Sequence, residues 1–207
     1  MSARIIKKDS YFLKDINFVI RTLIISDTIL SGALALLAPV FALFIDKYIA
    51  GANEAVVGVA AAIYLFSKSI FQIPVAAVID KIKGEKDDFY ILFIFTLIIA
   101  VLPLLYLMIS TTWQLYLVQL LLGVFTAFTF PSYMAIFTRH IDKSKEAGEW
   151  GVYFTLTDLS SAALAAIGGY VAYSLGFSSV IISVVVLSII GSLLLWQLKP
   201  YIRMPKK

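Results

Sequence analysis

The chain has 207 residues, of which 61% are apolar and 14% charged, with a net charge of +4. A soluble domain of this size carries roughly 25% charged residues to cover its surface, so most of this surface meets lipid and the chain reads as an integral membrane protein. The basic residues sit in short clusters between apolar runs, which excludes nucleic acid as a partner, and the absence of cysteine excludes disulfides and thiolate metal sites.

A helix needs about 20 residues to cross roughly 30 Å of hydrocarbon. Six runs reach that length, at about 19–45, 56–79, 89–109, 113–138, 150–173 and 178–198. Arg4, Lys7, Lys8 and Lys14 precede the first, but that run is too long for a signal-peptide core and has no small-residue cleavage site after it. The first span carries Asp27 about two turns in, with Ser31 one turn on, and Pro39 further along. A polar break with Gly51, Asn53 and Glu54 follows.

The second span places Lys68 near its middle, on one stripe with Tyr64, Ser67, Phe71 and Gln72. Its ammonium is about 12 residues, roughly 18 Å, from either interface. Snorkelling to the surface is therefore a poor account, and a polar cavity or a buried partner a better one. The next loop reads DKIKGEKDD, the third span contains Pro103, and Ser110–Thr112 is a tight turn.

The fourth span carries Gln119, Thr126, Phe130, Pro131 and Tyr133, and the loop after it reads RHIDKSKEAGE. The fifth carries Asp158 beside Thr157, with Ser161 on the same face. Either Asp27 or Asp158 is a candidate partner for Lys68, and a desolvated carboxylate at either place is a candidate proton carrier. The alternative for both is a helix–helix hydrogen bond, or a charge still wet near the span end. Ser161, Ala165 and Gly169 form a small-x-x-x-small ridge expected to pack closely on a neighbouring helix. Pro39, Pro74, Pro103 and Pro131 are expected to kink or end helices. Trp113, Trp150 and Trp196 fall near span ends, where an indole prefers the interface. The apolar runs are continuous, so helices fit and an alternating barrel pattern does not.

Orientation follows from Lys and Arg. Arg4, Lys7, Lys8, Lys14 and Arg21 precede or open the first span. Lys81, Lys83 and Lys86 lie in the second loop, Arg139, Lys143 and Lys145 in the fourth, and Lys199, Arg203, Lys206 and Lys207 in the tail. Only Lys47 lies on the opposite side, and Lys68 lies inside a span. Both termini are therefore expected in the cytoplasm, with the chain integral to the plasma membrane.

The segment PVAAVIDKIKGEK, from Pro74 to Lys86, resembles the major-facilitator signature after the second helix. Asp80 and Lys81 fit it, Ala76 replaces its first glycine, Lys83 its second with Gly84 one place late, and Lys86 supplies a basic residue. Around it, Gly123, Pro131, Asp142, Gly148, Gly151 and the pair Gly168–Gly169 also look like that family. Nearly the whole chain is covered, and it matches the family's first six helices, one of two parallel halves.

The resemblance implies an all-α, six-helix half bundle forming a single domain over residues 1–207. It implies a cavity lined by the first and fourth helices among others, making Gln119, Thr126 and Tyr133 candidates beside Asp27, Ser31, Tyr64, Lys68, Gln72 and Asp158. It also implies a conformational latch at Asp80 and Lys81, which otherwise simply end a helix at the interface. Ala165 stands where the family's proton antiporters carry a proline, which weakens that reading.

The function implied is secondary transport of a small solute, by a homodimer or with a separate second half. A non-transporting scaffold or a truncated half-transporter is the alternative. No enzyme is expected, because the loops carry no carboxylate cluster, metal-ligand set or nucleophile–base pair. The single His140 argues against a His-based metal site, and no cofactor is expected.

Overall fold

A computed structural model describes residues 16–82 and 84–203. Arg4, Lys7, Lys8, Lys14, Lys83, Lys206 and Lys207, used above for charge and signature, lie outside the described residues.

Six helical rods lie over the six predicted ranges. The first is α1 (Phe18–Leu37), a short 3₁₀ turn at Ala38–Val40, and α2 (Phe41–Tyr48). Asn17 caps α1 by accepting a hydrogen bond from Ile20 N at 3.0 Å. The interruption falls at Pro39, which has no amide hydrogen to donate within the turn. The second rod is α3 (Glu54–Lys81), capped by Asn53 and running unbroken through Pro74. The third is α4 (Lys86–Val101), which tightens at Pro103 into 3₁₀ turns over Leu102–Leu107.

The fourth rod is α5 (Thr112–His140), opened by a capping box of Thr111 and Gln114 and continuous through Pro131. The fifth is α6 (Glu146–Leu175). It turns into the sixth, α7 (Phe177–Leu194), at Gly176, whose φ of +82° is open to glycine and strained for most other residues. A 3₁₀ segment, Leu195–Tyr201, extends α7. Thus Pro39 and Pro103 mark changes of helix type, whereas Pro74 and Pro131 sit inside continuous helices.

Among the described residues, five of these rods are long and apolar enough to cross a membrane: Phe18–Tyr48, Glu54–Lys81, Lys86–Leu107, Thr112–His140 and Phe177–Tyr201. The remaining rod, α6, has the length at 30 residues. Thr155, Thr157, Asp158, Ser160 and Ser161 dilute its apolar character.

Packing runs in the order α3, α5, α4, α7, α1, α6. The two ends of this row, α3 and α6, are the least covered helices. Phe66, Ile73, Leu159 and Tyr173 all stand exposed on them, as suits a surface that meets lipid or another apolar face.

Close approaches fix the crossings. A side chain at Gly123 of α5 would strike Ser67 and the Tyr64 carbonyl of α3. One at Gly168 of α6 would strike the Leu36 backbone of α1. Ser160 of α6 also donates to Thr28 O of α1 at 3.1 Å. The expected ridge of Ser161, Ala165 and Gly169 is therefore corrected by one residue, to Ser160, Leu164 and Gly168, and Gly169 meets nothing within 4 Å. One residue is a 100° turn of the helix, and the adjacent glycines left both faces open to small-residue packing.

Two apolar cores hold the bundle. One joins Leu36, Phe44, Ile45, Tyr106, Leu115 and Val184. The other joins Ile20, Leu23, Phe89, Tyr133, Phe137 and Leu198. Beyond the second core, four chain segments meet in a polar network. Asn17 Nδ2 donates to His140 O at 2.8 Å and Asp142 Oδ1 at 3.2 Å. Arg139 pairs with the fully buried Asp88. Glu85 Oε2 lies 2.9 Å from His140 Nε2 and accepts from Arg203 N at 3.0 Å. Glu85 N donates in turn to Arg203 O at 3.1 Å. At the opposite end, Ala50 N donates to Ser110 O at 2.8 Å and ties two turns together.

Candidate functional site

Between the two cores, at mid-length of the rods, lies a cavity of about 270 Å³. Its floor is Asp27 of α1. Asp27 Oδ2 accepts from Tyr153 OH at 2.9 Å and from Ser31 Oγ at 3.3 Å. Ser31 reaches it because i and i+4 share a helix face. Tyr153 reaches it because Gly32 and Gly168 let α1 and α6 run backbone to backbone. The carboxylate thus sits among hydroxyl donors, with no cation beside it among the described residues.

The walls are Tyr64 of α3, Thr126, Thr129, Phe130 and Tyr133 of α5, and Tyr153. Tyr133 is buried, packs against the Tyr153 ring at 5.9 Å, and its hydroxyl finds no hydrogen-bond partner. Among the described residues, the hydroxyls of Tyr64, Thr96 and Ser188 also line the cavity without donating to a protein acceptor, whereas others have committed their protons. Ser26 Oγ donates to Gly191 O at 2.7 Å, Thr126 to Leu122 O at 2.6 Å, and Thr129 to Thr126 O at 3.1 Å. Their oxygens keep lone pairs and act only as acceptors.

The sequence candidates divide. The structure brings Asp27, Ser31, Tyr64 and Thr126 together on the cavity, with Tyr133 beside them. Lys68 stands at the edge, its Nζ 5.1 Å from the centre of the Phe130 ring. Its expected pairing with Asp27 or Asp158 is corrected: among the described residues no carboxylate lies within ion-pair reach of it, and a ring face takes its charge instead. The proposed stripe also splits, because Ser67 turns into the α3–α5 crossing and donates to Ile63 O at 2.7 Å.

Gln119 is buried but outside the cavity, and Gln72 is half-buried and outside it. Asp158 is exposed on α6 and does not line the cavity. Asp80 and Lys81 are exposed at the end of α3 with no ion pair among the described residues.

Sequence reading missed Tyr153, Thr96, Thr129 and Ser188 as lining residues. Tyr153 lies near a span end beside Trp150 and resembles any interfacial aromatic. Its only signal is its place one turn before Thr157, on the side of α6 that meets α1. Thr96 and Ser188 lie on α4 and α7, helices that the family resemblance had not assigned to the cavity.

In the polar network, Glu149 is buried, with Oε2 accepting from Asp142 N at 3.2 Å and Oε1 unpartnered. Loss of solvation pushes its carboxyl up to about 7, against the pull of that backbone hydrogen bond.

Membrane-length helices packed around a chamber at mid-length make a multi-pass membrane protein with room inside for a solute. Residues 23–207 match the family model described as the Major Facilitator Superfamily. The chain belongs to that superfamily, whose members are membrane transporters and in general not enzymes. Among curated proteins, none matches the chain.

Proposed function

We propose that the chain is a secondary active transporter of a small solute. In this reading it crosses the plasma membrane six times as a single domain with both termini in the cytoplasm. The observation that carries the proposal is Asp27, a carboxylate at membrane depth held by hydroxyls alone beside a solute-sized cavity. An ionisable group there costs roughly 2.5–3.5 kcal/mol on insertion scales, so its retention points to a working role, here carrying a proton coupled to the solute.

The orientation is supported by the gathering of Asn17, Glu85, His140 and Arg203 at one end, since these belong to the four segments rich in Lys and Arg. The uncovered helices α3 and α6 are where a second six-helix bundle docks, supplied by another copy or by a separate chain. Closure and opening are then rocking of one bundle against the other, with Asp80 and Lys81 as the latch.

The natural sequence has no cysteine, so Thr126→Cys gives a single reporter on the cavity. The Thr126→Cys protein is placed in right-side-out and inside-out vesicles and treated with a membrane-impermeant maleimide. A transporter labels from both sides, and Asp80→Asn shifts the ratio between them. Labelling from one side only would leave a scaffold. Cross-linking of cysteine pairs on α3 and α6 distinguishes a parallel dimer from a chain that needs a different partner.

A further inference from the structure

We infer that the cavity binds a monovalent organic cation, an amine or quaternary ammonium with an apolar body. The inference rests on the transport reading for what the cavity is for, and adds the class of solute. Two observations carry it.

The first is charge. Among the described residues, Asp27 is the one charged side chain lining the cavity. An anion brought in would have to sit against it, whereas a cation is drawn to it.

The second is the walls. Tyr64, Phe130, Tyr133 and Tyr153 line the chamber with aromatic rings, and the negative quadrupole of a ring face attracts cations and repels anions. One ring face already holds an ammonium, since Lys68 Nζ rests 5.1 Å from the centre of Phe130. Lys68 is tethered at the edge of the chamber and takes a place that a solute cation would use.

The test is calorimetric binding to the purified full chain in lipid nanodiscs. The probes are choline, its uncharged carbon isostere dimethylbutanol, the larger cation benzyltrimethylammonium, and ethanesulfonate as anion. At least one of the two cations is expected to bind about tenfold or more tightly than dimethylbutanol, and ethanesulfonate not to bind. Asp27→Asn removes most of the preference for charge, and Lys68→Met strengthens cation binding several-fold by clearing the Phe130 face. Should Asp27→Asn fail to fold, Phe130→Leu serves in its place and lowers the preference. Equal binding of the uncharged probe, or a preference for ethanesulfonate, overturns the inference. So does cation binding that is weakened by Lys68→Met. The maleimide test uses no solute, so the two readings fail separately. Two-sided labelling without cation preference removes the cation alone, and cation binding with one-sided labelling removes transport alone.

Discussion

Two regions of this molecule hold carboxyl groups inside the helix bundle, and they treat them differently. At the polar end, Glu85 is 1% exposed and is met by His140, by Arg203 N and, at 3.9 Å, by the Arg203 guanidinium. In the cavity, among the described residues, Asp27 is met by two hydroxyls and no other polar side chain within hydrogen-bond reach. A carboxyl clasped by basic and amide groups is fixed in place, and serves as a tie between segments. A carboxyl held by hydroxyls is oriented but not neutralised, so a proton or a cation can still compete for it. The same side-chain chemistry makes a rivet at one level and a binding group at another.

The sharpest way to break this comparison is to remove the charge at each place. Asp27→Asn is expected to reduce pH-gradient-driven uptake to the level of empty liposomes while the melting temperature changes little. Uptake equal to that of the unaltered protein would end the role given to Asp27.

Gly168→Val attacks the cavity through its scaffold. The added side chain meets the Leu36 backbone, and overpacking of this kind costs roughly 1–3 kcal/mol. It also separates Tyr153 from Asp27, so stability in detergent and uptake are expected to fall together.

Glu85→Ala strips the acceptor from Arg203 N and the partner from His140. Two groups left unpaired at a buried site cost about 2 kcal/mol, measured as a lower unfolding midpoint. Coupling of uptake to pH is expected to survive in whatever fraction remains folded, the reverse of Asp27→Asn.

The smallest effect is at Glu149. Its carboxyl sits at about 7 in the folded chain against an ordinary 4.5, so folding favours the protonated form. That contribution to stability is complete below about pH 4.5 and is lost as pH rises through about 7. The melting temperature is therefore expected to fall between pH 5 and pH 8, and Glu149→Gln to flatten part of that fall. An identical slope in the variant would assign the pH dependence to other groups.

The sequence by itself determined where the helices lie, because the length and continuity of an apolar run are properties of the chain in one dimension. It also determined the Asp27–Ser31 pair, since four residues of helix return to the same face, and it singled out Lys68 as a charge inside a span. The tertiary structure decided which partners those groups have. Tyr153 is 126 residues from Asp27 and meets it only because two glycines bring α1 and α6 into contact. Lys68 found a ring rather than a carboxylate, and Asp158 turned away from the cavity, because rotation of a helix about its axis is set by packing. Hydropathy fixes how deep a residue lies, but the azimuth of its side chain follows from which small residues let neighbouring backbones approach.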